Sequence, residues 1–256
     1  MQKKFNNNGF FIKNLNSPVV IKKLLKIVNK HFNKSKRYYL KINRREFSQI
    51  VLKCQRDIDK SNIVKLFHKY ESNFFKKILN DNKVFYSSGG YLRAVRPSIN
   101  LPKKEYLDWH RETFYGRKKK FIKSCVNVWV PVKHVNKLNS LKYIPKSHKI
   151  KDNLIKRKRY KVENGSIKKL STEHKIGFAY APKKIISGIN LKKQKTFNFK
   201  KNQFVSFSAM LVHGNAKNLS KDIRFAFNFG IVGGSKLKEN YKKIDSRNHR
   251  YISFDN

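Results

Sequence analysis

The stretch Arg224-Phe225-Ala226-Phe227-Asn228-Phe229-Gly230-Ile231 alternates between bulky apolar residues and smaller or polar ones. Successive side chains of a β-strand point to opposite faces. The three phenylalanines and Ile231 would therefore share one face, and Arg224, Ala226 and Asn228 the other. We predict a strand with one face in a hydrophobic core and the other toward a space with room for a ligand.

The same period of two recurs earlier in the chain. Strands are predicted over residues 84–96, with a turn or bulge at 87–90, over 124–132 and over 204–213. In segment 124–132 the valines occupy one face, and Cys125, Asn127 and Trp129 the other. This half of the chain is therefore expected to form a β-core.

The N-terminal part has helical periodicity instead. Helices are predicted over 18–32, over 45–59, and from residue 61 or 62 to about 80. The lysine-rich segment 151–175 has weak periodicity and reads as an exposed excursion. We expect one domain with three parts, which are a mainly helical layer (1–82), a β-core (83–235) and a C-terminal tail (236–256).

The charge of the chain is strongly one-sided. Its 256 residues include 61 Lys and Arg against 15 Asp and Glu, a formal net charge of +46. Such an excess attracts nucleic acid, anionic lipid or phosphorylated substrates. It also fits compositional drift, because most of the excess is lysine, accompanied by much Asn and Ile and spread from Lys3 to Arg250. Both interpretations stay open.

The cysteines and the N-terminal residues bear on the cellular location of the protein. Cys54 and Cys125 lie far apart and form no CxxC pair, which fits a reducing environment and argues against a structural zinc site. We find no signal peptide and no membrane span, so the expected location is cytoplasmic.

The segment Trp109-His110-Arg111-Glu112 carries candidate metal ligands. His110 and Glu112 would share a face in an extended segment, and His213, at the end of an apolar strand, could complete three ligands. Two imidazoles and one carboxylate with open positions are typical of non-haem Fe(II) oxygenases. Asp108 shares that face and is an alternative carboxylate. The remaining histidines are assigned structural roles, namely His31, His68, His134, His174 and His249.

Three pieces of sequence between Tyr91 and Ile231 resemble the phytanoyl-CoA dioxygenase-like family of Fe(II)/2-oxoglutarate oxygenases. The first is His110-Arg111-Glu112 with the aromatic residues after it. The second is the strand from Val126 to Val132, followed by Asn139-Ser140-Leu141 and the loop Pro145-Lys146-Ser147-His148-Lys149. The third is the series His213-Gly214, Asn218, Ser220 and Arg224. These pieces stand in the family's order and cover most of the expected β-core.

The resemblance implies a mainly β fold with helices, a double-stranded β-helix or jelly-roll barrel. It also implies Fe(II) held by His110, Glu112 and His213. The 2-oxoglutarate co-substrate would chelate that iron and place its far carboxylate on Arg224, assisted by Ser220 and Asn127. Most relatives have Asp where Glu112 stands, and the family has Gly where Lys146 stands. The first departure bears on the iron position and the second on the loop conformation.

The implied activity is a dioxygenase reaction that hydroxylates a small, anionic metabolite and releases succinate and CO2. Its partners would be that substrate and dioxygen. Arg93 and Arg96 are candidate binders of the substrate's anion, with Lys103 and Lys104, and Trp129 is a candidate for the pocket wall. The alternatives are a barrel that acts on nucleic acid and a barrel that binds without catalysis. Nucleic acid is disfavoured because we find no basic cluster interleaved with aromatics.

Overall fold

The computed structural model describes residues 1–87, 90–98, 107–115, 120–159, 171–176, 183–214, 216–237 and 251–255, with only the backbone at 120, 173 and 174. Outside the described residues lie Lys103 and Lys104, residues 88 and 89 of the predicted turn, and residues 160–170 of segment 151–175.

Six α-helices occur in the described ranges. They are α1 (Gln2–Asn8), α2 (Val19–His31), α3 (Lys36–Lys41), α4 (Arg44–Lys60), α5 (Ile63–Leu79) and α6 (Thr172–Lys175). The three helices predicted from sequence correspond to α2, α4 and α5. Asn43 caps α4, since its side-chain oxygen accepts a hydrogen bond from the Glu46 N–H at 3.0 Å. In the described part of the chain, no helix has the length and apolar character needed to cross a bilayer.

Twelve strands account for the β-structure of the described residues. They are β1 (Phe10–Asn14), β2 (Val84–Ser87), β3 (Tyr91–Val95), β4 (Val126–Lys133), β5 (Lys142–Tyr143), β6 (Lys156–Arg159), β7 (Lys183–Ser187), β8 (Lys195–Thr196), β9 (Gln203–Ser208), β10 (His213–Gly214), β11 (Arg224–Gly233) and β12 (Tyr251–Ser253).

These strands form a large sheet, a small sheet and a separate two-stranded ribbon of β6 and β7, with every pairing antiparallel. The large sheet has the order β1-β9-β4-β11-β2-β12, and β3 also pairs with β11, along the half that precedes the β2 pairing. The small sheet has the order β10-β5-β8. Residues of both sheets meet in one buried cluster that includes Trp129, Tyr143 and Phe207. The protein therefore has the expected mainly β fold, a double-stranded β-helix with its helices outside the barrel.

The faces of β11 are the ones that its alternation predicts. Phe225, Phe227, Phe229 and Ile231 belong to the main core, which also contains buried residues of α2, α4 and α5. The opposite face turns toward the small sheet. Helix packing on one side of the large sheet thus leaves the other side for the cavity described below.

The predicted strand over 204–213 is wrong in one respect, because the chain breaks it in two. After β9 the backbone turns at residues 208–210, where the Ser208 hydroxyl accepts from the Met210 N–H at 3.1 Å and the Leu211 N–H donates to the Ser208 carbonyl at 2.8 Å. β10 then joins the small sheet. The apolar run is continuous in sequence because both pieces are buried, although they lie in different sheets.

The predicted boundaries of the β-core are too narrow. β1, from the segment expected to be helical, pairs with β9, and β12, from the expected tail, pairs with β2. These two strands occupy opposite edges of the large sheet, so each chain end contributes backbone hydrogen bonds to the barrel.

Candidate metal centre and its cavity

His110 and His213 lie directly opposite each other in an isolated antiparallel bridge. The His110 N–H donates to the His213 carbonyl at 2.9 Å, and the His213 N–H donates to the His110 carbonyl at 3.0 Å. Both side chains are buried, and their ring centroids are 4.3 Å apart. Two residues that are far apart in sequence therefore present their imidazoles side by side.

Each imidazole is held by a backbone carbonyl through Nδ1. His110 Nδ1 donates to the Asp108 carbonyl at 2.5 Å, and His213 Nδ1 donates to the Leu211 carbonyl at 2.9 Å. Because a carbonyl only accepts, both Nδ1 atoms carry the proton, and Nε2 keeps its lone pair. This fixes the tautomer that metal-binding histidines use.

Glu112 lies at a change of backbone conformation. Arg111 is extended, with φ −123° and ψ 152°, but residues 112–114 form a 3₁₀ turn rather than a continuation of the strand. The Glu112 N–H donates to the Ala209 carbonyl at 3.1 Å, at the corner between β9 and β10. The extended Arg111 suffices to place His110 and Glu112 on one side, as the sequence argument requires.

Glu112 Oε1 lies 3.5 Å from His213 Nε2 and 3.9 Å from His110 Nε2. One ligand atom from each of these three residues lies within 4.8 Å of the others, and among the described residues this is the group of three or more His, Cys, Asp or Glu that could hold a metal ion. Asp108, the alternative carboxylate, is outside that group and contributes its carbonyl instead.

The electrostatics keep these groups in forms that bind metal. Burial and the neighbouring His213 lower the pKa of His110 to about 4, so this imidazole is neutral at physiological pH. Burial alone would raise the pKa of Glu112, but the neighbouring His213 and His110 and the charge of Arg93 lower it to about 2, so the carboxylate is ionised. Metal binding requires neutral imidazole and ionised carboxylate.

Asn127 and Trp129, from the cavity face of β4, extend the site. Asn127 Nδ2 donates to Glu112 Oε1 at 3.2 Å and so orients the carboxylate. The Trp129 ring stacks on Phe199 with centroids 5.3 Å apart. The Arg224 guanidinium lies 5.9 Å from the centre of the Trp129 ring.

Arg224 is a buried cation that lacks an anionic partner among the described residues. Its Nη1 donates to the Asn139 carbonyl at 3.1 Å, whereas its buried Nε has no hydrogen-bond partner. Burial, together with the charge of Arg93, lowers the pKa of Arg224 to about 9. An unsatisfied buried donor is costly, and a carboxylate ligand would satisfy it.

Ser220 lies beside Arg224 in a buried network, not on the cavity wall. Its hydroxyl donates to Asn218 Oδ1 at 2.7 Å and accepts from Asn139 Nδ2 at 2.9 Å. Asn139 is the residue whose carbonyl accepts from Arg224. The role of Ser220 near the co-substrate is therefore indirect, through the residue that positions the guanidinium.

The two arginines that were predicted to bind the substrate lie in different environments. Arg93 lines the cavity, and it donates to Asn228 Oδ1 at 3.1 Å and to the Ile176 carbonyl at 3.3 Å. Arg96 was expected to face the cavity and does not. Its Nη1 donates to the carbonyls of Tyr39 and Ile42 at 3.1 and 2.6 Å, because the end of α3 offers carbonyls that a cation satisfies.

Arg111, between the two ligands of its segment, is completely buried and holds the neighbouring loop. It donates to the Ile150 carbonyl and to Asp152 Oδ1, each at 2.8 Å, and to the Ser147 carbonyl. Lys146, where the family has Gly, has φ +58°. The left-handed conformation that favours Gly is thus kept by a lysine.

These residues surround an open cavity, whose empty space is about 730 Å³ when the solvent at its mouth is included. Lining residues come from both sheets, from the metal segment, from α4 and from Ile176, which follows α6. They are Val51, Leu92, Arg93, Ala94, Val95, Leu107, His110, Glu112, Asn127, Trp129, Leu141, Ile176, Phe207, His213, Gly214, Ala216, Arg224 and Asn228.

Several contributors had no role in the sequence analysis, among them Asn228 and Val51. Asn228, noted there only as a polar residue on the cavity face, orients Arg93. Val51, on α4, reaches the cavity from the helical layer. Asn228 could have been predicted from its position on the cavity face of β11. Val51 could not, because the apolar stripe of α4 does not distinguish a cavity residue from a core residue.

Comparison with known proteins addresses the family and the fold. The sequence model of phytanoyl-CoA dioxygenase (PhyH) matches residues 12–226. No curated protein sequence matches the chain significantly.

Solved structures match across nearly the whole chain at low identity. EctD from S. alaskensis, whose crystal structure contains 2-oxoglutarate and 5-hydroxyectoine, is 12% identical with a TM-score of 0.56, over 93% of this chain and 77% of EctD. AviO1 from Streptomyces viridochromogenes Tue57 is 14% identical with a TM-score of 0.53, over 92% of this chain and 95% of AviO1. The non-heme alpha ketoglutarate dependent epimerase SnoN, from nogalamycin biosynthesis, is 9% identical with a TM-score of 0.52, over 98% and 93% of the two chains. At these identities the likeness establishes a shared fold.

Proposed function

The chain belongs to the phytanoyl-CoA dioxygenase family of Fe(II)- and 2-oxoglutarate-dependent oxygenases, and on this basis we propose that it hydroxylates a small anionic metabolite with release of succinate and CO2. His110, Glu112 and His213 would hold the iron. Arg224 would bind the far carboxylate of 2-oxoglutarate, and Arg93 would bind the anionic group of the substrate.

The donor set supports the iron assignment. Two Nε2 lone pairs and one carboxylate converge from one side, with their Nδ1 atoms already committed to carbonyls. This is the facial set of ligands that leaves positions open for other molecules. Glu112 is one methylene longer than the Asp of its relatives, and its hydrogen bond from Asn127 holds the longer side chain toward both imidazoles.

The unpaired Nε of Arg224 is the observation that supports the co-substrate assignment. A guanidinium holds a carboxylate through two parallel hydrogen bonds, and this one is already fixed by Asn139 and Trp129. Because the cavity contains both Arg224 and the ligand cluster, one dicarboxylate could contact both.

The charges that line the cavity support an anionic substrate. Glu112 is the only acidic residue among the described lining residues. Its charge and the two of 2-oxoglutarate would balance the charges of Fe(II) and Arg224. Arg93 also lines the cavity, and a guanidinium binds a carboxylate or phosphate through charge-assisted hydrogen bonds.

The residues around the cavity would orient the ligands and exclude water. Asn127 orients Glu112, and the backbone carbonyls of Asp108 and Leu211 orient the histidines. Trp129 and Phe207 provide apolar walls that exclude water. When bound, iron and 2-oxoglutarate supply the oxidising chemistry, and the protein supplies position and electrostatics.

Cys54 and Cys125 are buried and form no disulfide, which is consistent with our further proposal of a reducing, cytoplasmic location.

A screen for substrate-stimulated succinate formation tests the function. Purified protein with Fe(II), ascorbate and 2-oxoglutarate is given pairs of metabolites that differ only in a carboxylate or phosphate. We expect stimulation by the charged member of a pair and little by its neutral analogue. If neither binding of 2-oxoglutarate nor succinate is detected with any metabolite, the enzymatic proposal fails.

The variant Arg93→Gln tests the substrate's charge separately. Losing one charge-assisted contact should raise KM for the anionic substrate about 10- to 100-fold, with 2-oxoglutarate affinity changed much less. Arg56→Gln, an exposed change on α4, removes the same charge away from the cavity and should have no effect. Equal KM in wild type and Arg93→Gln would remove Arg93 from this role.

A further inference from the structure

The strands β6 and β7 form a two-stranded ribbon separate from both main sheets. Its inner side is anchored, since Ile155 and Ile185 are buried in a cluster with Trp109 and Phe114. Lys183 Nζ donates to the Phe114 carbonyl at 2.6 Å. The ribbon is therefore fastened to the segment that carries His110 and Glu112.

The outer side of this ribbon carries like charges at close range. Lys158 and Lys184 are directly opposite each other in the register of the two strands. Directly opposed like charges destabilise a strand pair. Lys156, Lys158 and Lys184 form no ion pair with a carboxylate within the described ranges. The arrangement therefore favours an anionic partner.

Two large aliphatic side chains are exposed at one end of the same ribbon. Ile186 is 63% exposed and Leu154 is 59% exposed, the two highest values among the large apolar residues of the described chain. Gly188, two residues after Ile186, packs so closely on the Leu154 carbonyl that a side chain there would overlap it. Leu154 and Ile186 therefore belong to one end of the ribbon, beside the lysines.

We propose that this ribbon face, defined as Leu154, Lys156, Lys158, Lys184 and Ile186, docks the protein on a membrane surface that contains anionic lipid. Lysines next to such a surface are attracted to lipid phosphates, and aliphatic side chains gain by entering the boundary between headgroups and acyl chains. The pairing of exposed aliphatics with lysines distinguishes this partner from nucleic acid. A phosphate backbone would use the lysines but gain nothing from Leu154 and Ile186, and the ribbon face has no aromatic side chain on which a base could stack.

Docking through this face would hold the cavity close to the bilayer. The link is the contact of Lys183 with Phe114 and of the Arg157 guanidinium, 4.3 Å from the centre of the Phe114 ring. Phe114 ends the turn that begins at Glu112. Membrane docking does not depend on the identity of the substrate, and its test needs no activity.

Co-sedimentation of the full chain with lipid vesicles tests the proposal. One set contains phosphatidylcholine alone and the other about 30% phosphatidylserine, which gives the surface a negative potential. We expect binding to the second set only, weakened by salt. The variant Lys156→Gln/Lys158→Gln/Lys184→Gln should bind on the order of 100-fold more weakly, because each lysine contributes separately near the surface. Leu154→Ser/Ile186→Ser, which leaves the net charge unchanged, should bind about tenfold more weakly.

A second triple variant separates this face from the general positive charge. Lys22→Gln/Lys26→Gln/Lys53→Gln removes the same charge from exposed positions on α2 and α4. It should bind vesicles almost as wild type does. The proposal is overturned if this variant loses as much binding as the ribbon triple variant, or if the serine variant binds normally. It is also overturned if wild type does not bind the vesicles but binds duplex DNA or RNA, and the ribbon triple variant loses that nucleic-acid binding.

Discussion

His110 and His213 exchange both backbone hydrogen bonds of a single bridge, so the spacing of their imidazoles is set by the backbone and not by side-chain packing alone. In such a hydrogen-bonded antiparallel pair, the two side chains emerge next to each other on the same side. The third candidate ligand, Glu112, is tied to the same corner through the Ala209 carbonyl. One corner of the barrel thus positions all three candidate ligands.

Removing one ligand should abolish metal binding without unfolding the protein. His213→Ala and Glu112→Ala are expected to lose Fe(II) or Mn(II) binding in titration calorimetry, because two ligands remain where three are needed. Wild type at 100 times the dissociation constant should gain about 2.7 kcal/mol of stability from the metal, and the variants none. His31→Ala, which removes an imidazole that pairs with Asp57, is the control and should keep the gain. Metal-dependent stabilisation of His213→Ala would contradict the assignment.

Substitution of Arg224 should separate binding from stability. Arg224→Lys loses the bidentate fork and is expected to weaken 2-oxoglutarate binding about 10- to 100-fold. Arg224→Met should abolish it, yet leave the free energy of unfolding of the ligand-free protein unchanged or raised by about 1 kcal/mol, since an unpaired buried cation is removed. Calorimetric titration and urea denaturation measure the two quantities. Undiminished affinity in Arg224→Lys would exclude this arginine from the co-substrate site.

Arg111 should behave in the opposite way, although it is also a buried arginine. Arg111→Met leaves the Ile150 carbonyl without its side-chain donor, removes one of the two donors to the Ser147 carbonyl, and breaks the pair with Asp152. We expect a loss of about 3 kcal/mol in urea denaturation. Arg111→Met and Arg224→Met change the same atoms, so each serves as the other's control. Equal effects of the two changes on stability would show that hydrogen bonding does not distinguish these arginines.

The left-handed backbone at Lys146 predicts that glycine is favoured at this position. Lys146→Gly relieves a conformational cost of about 1 kcal/mol, partly offset by greater freedom in the unfolded chain, so a net gain of about 0.5 kcal/mol is expected. Lys146→Val should lose at least about 1 kcal/mol, because branched side chains tolerate this region poorly. Denaturant midpoints measure both. Lys149→Gly, three residues on without a positive φ, should lose stability, and a gain there would indicate that the loop simply favours flexibility.

Local alternation predicted the β11 strand correctly because one of its faces is core and the other is cavity. The sequence could not show where β9 ends and β10 begins, since burial on both sides of the Ser208 turn gives one continuous apolar run. Phe10-Phe11-Ile12 in β1 is too short for its pattern to stand out between Asn-rich segments. Strand pairing at the ends of a chain depends on distant partners, which local periodicity does not encode.

Among the site residues, the types of ligand were easier to predict than the direction in which each side chain points. The ligand types and Arg224 follow from motifs, whereas Arg96 was assigned to the cavity from its position in sequence and Ser220 from the resemblance to the family. Arg96 is drawn to the carbonyls at the end of α3, and Ser220 to the side chain of Asn218. A buried polar side chain takes the partner that tertiary structure brings nearest, and that partner is not visible in the sequence.

The turn at residues 208–210 sends β9 to the large sheet and β10 to the small one, and the candidate ligands are divided accordingly. His213 belongs to the small sheet, whereas Asn127, which donates a hydrogen bond to Glu112, belongs to the large one. The distance between them depends on the aromatic layer in which Phe207 and Tyr143 pack. A change in the volume of these side chains would therefore alter the spacing of the candidate ligand atoms. The packing of the barrel interior is thus one determinant of how the site would hold iron.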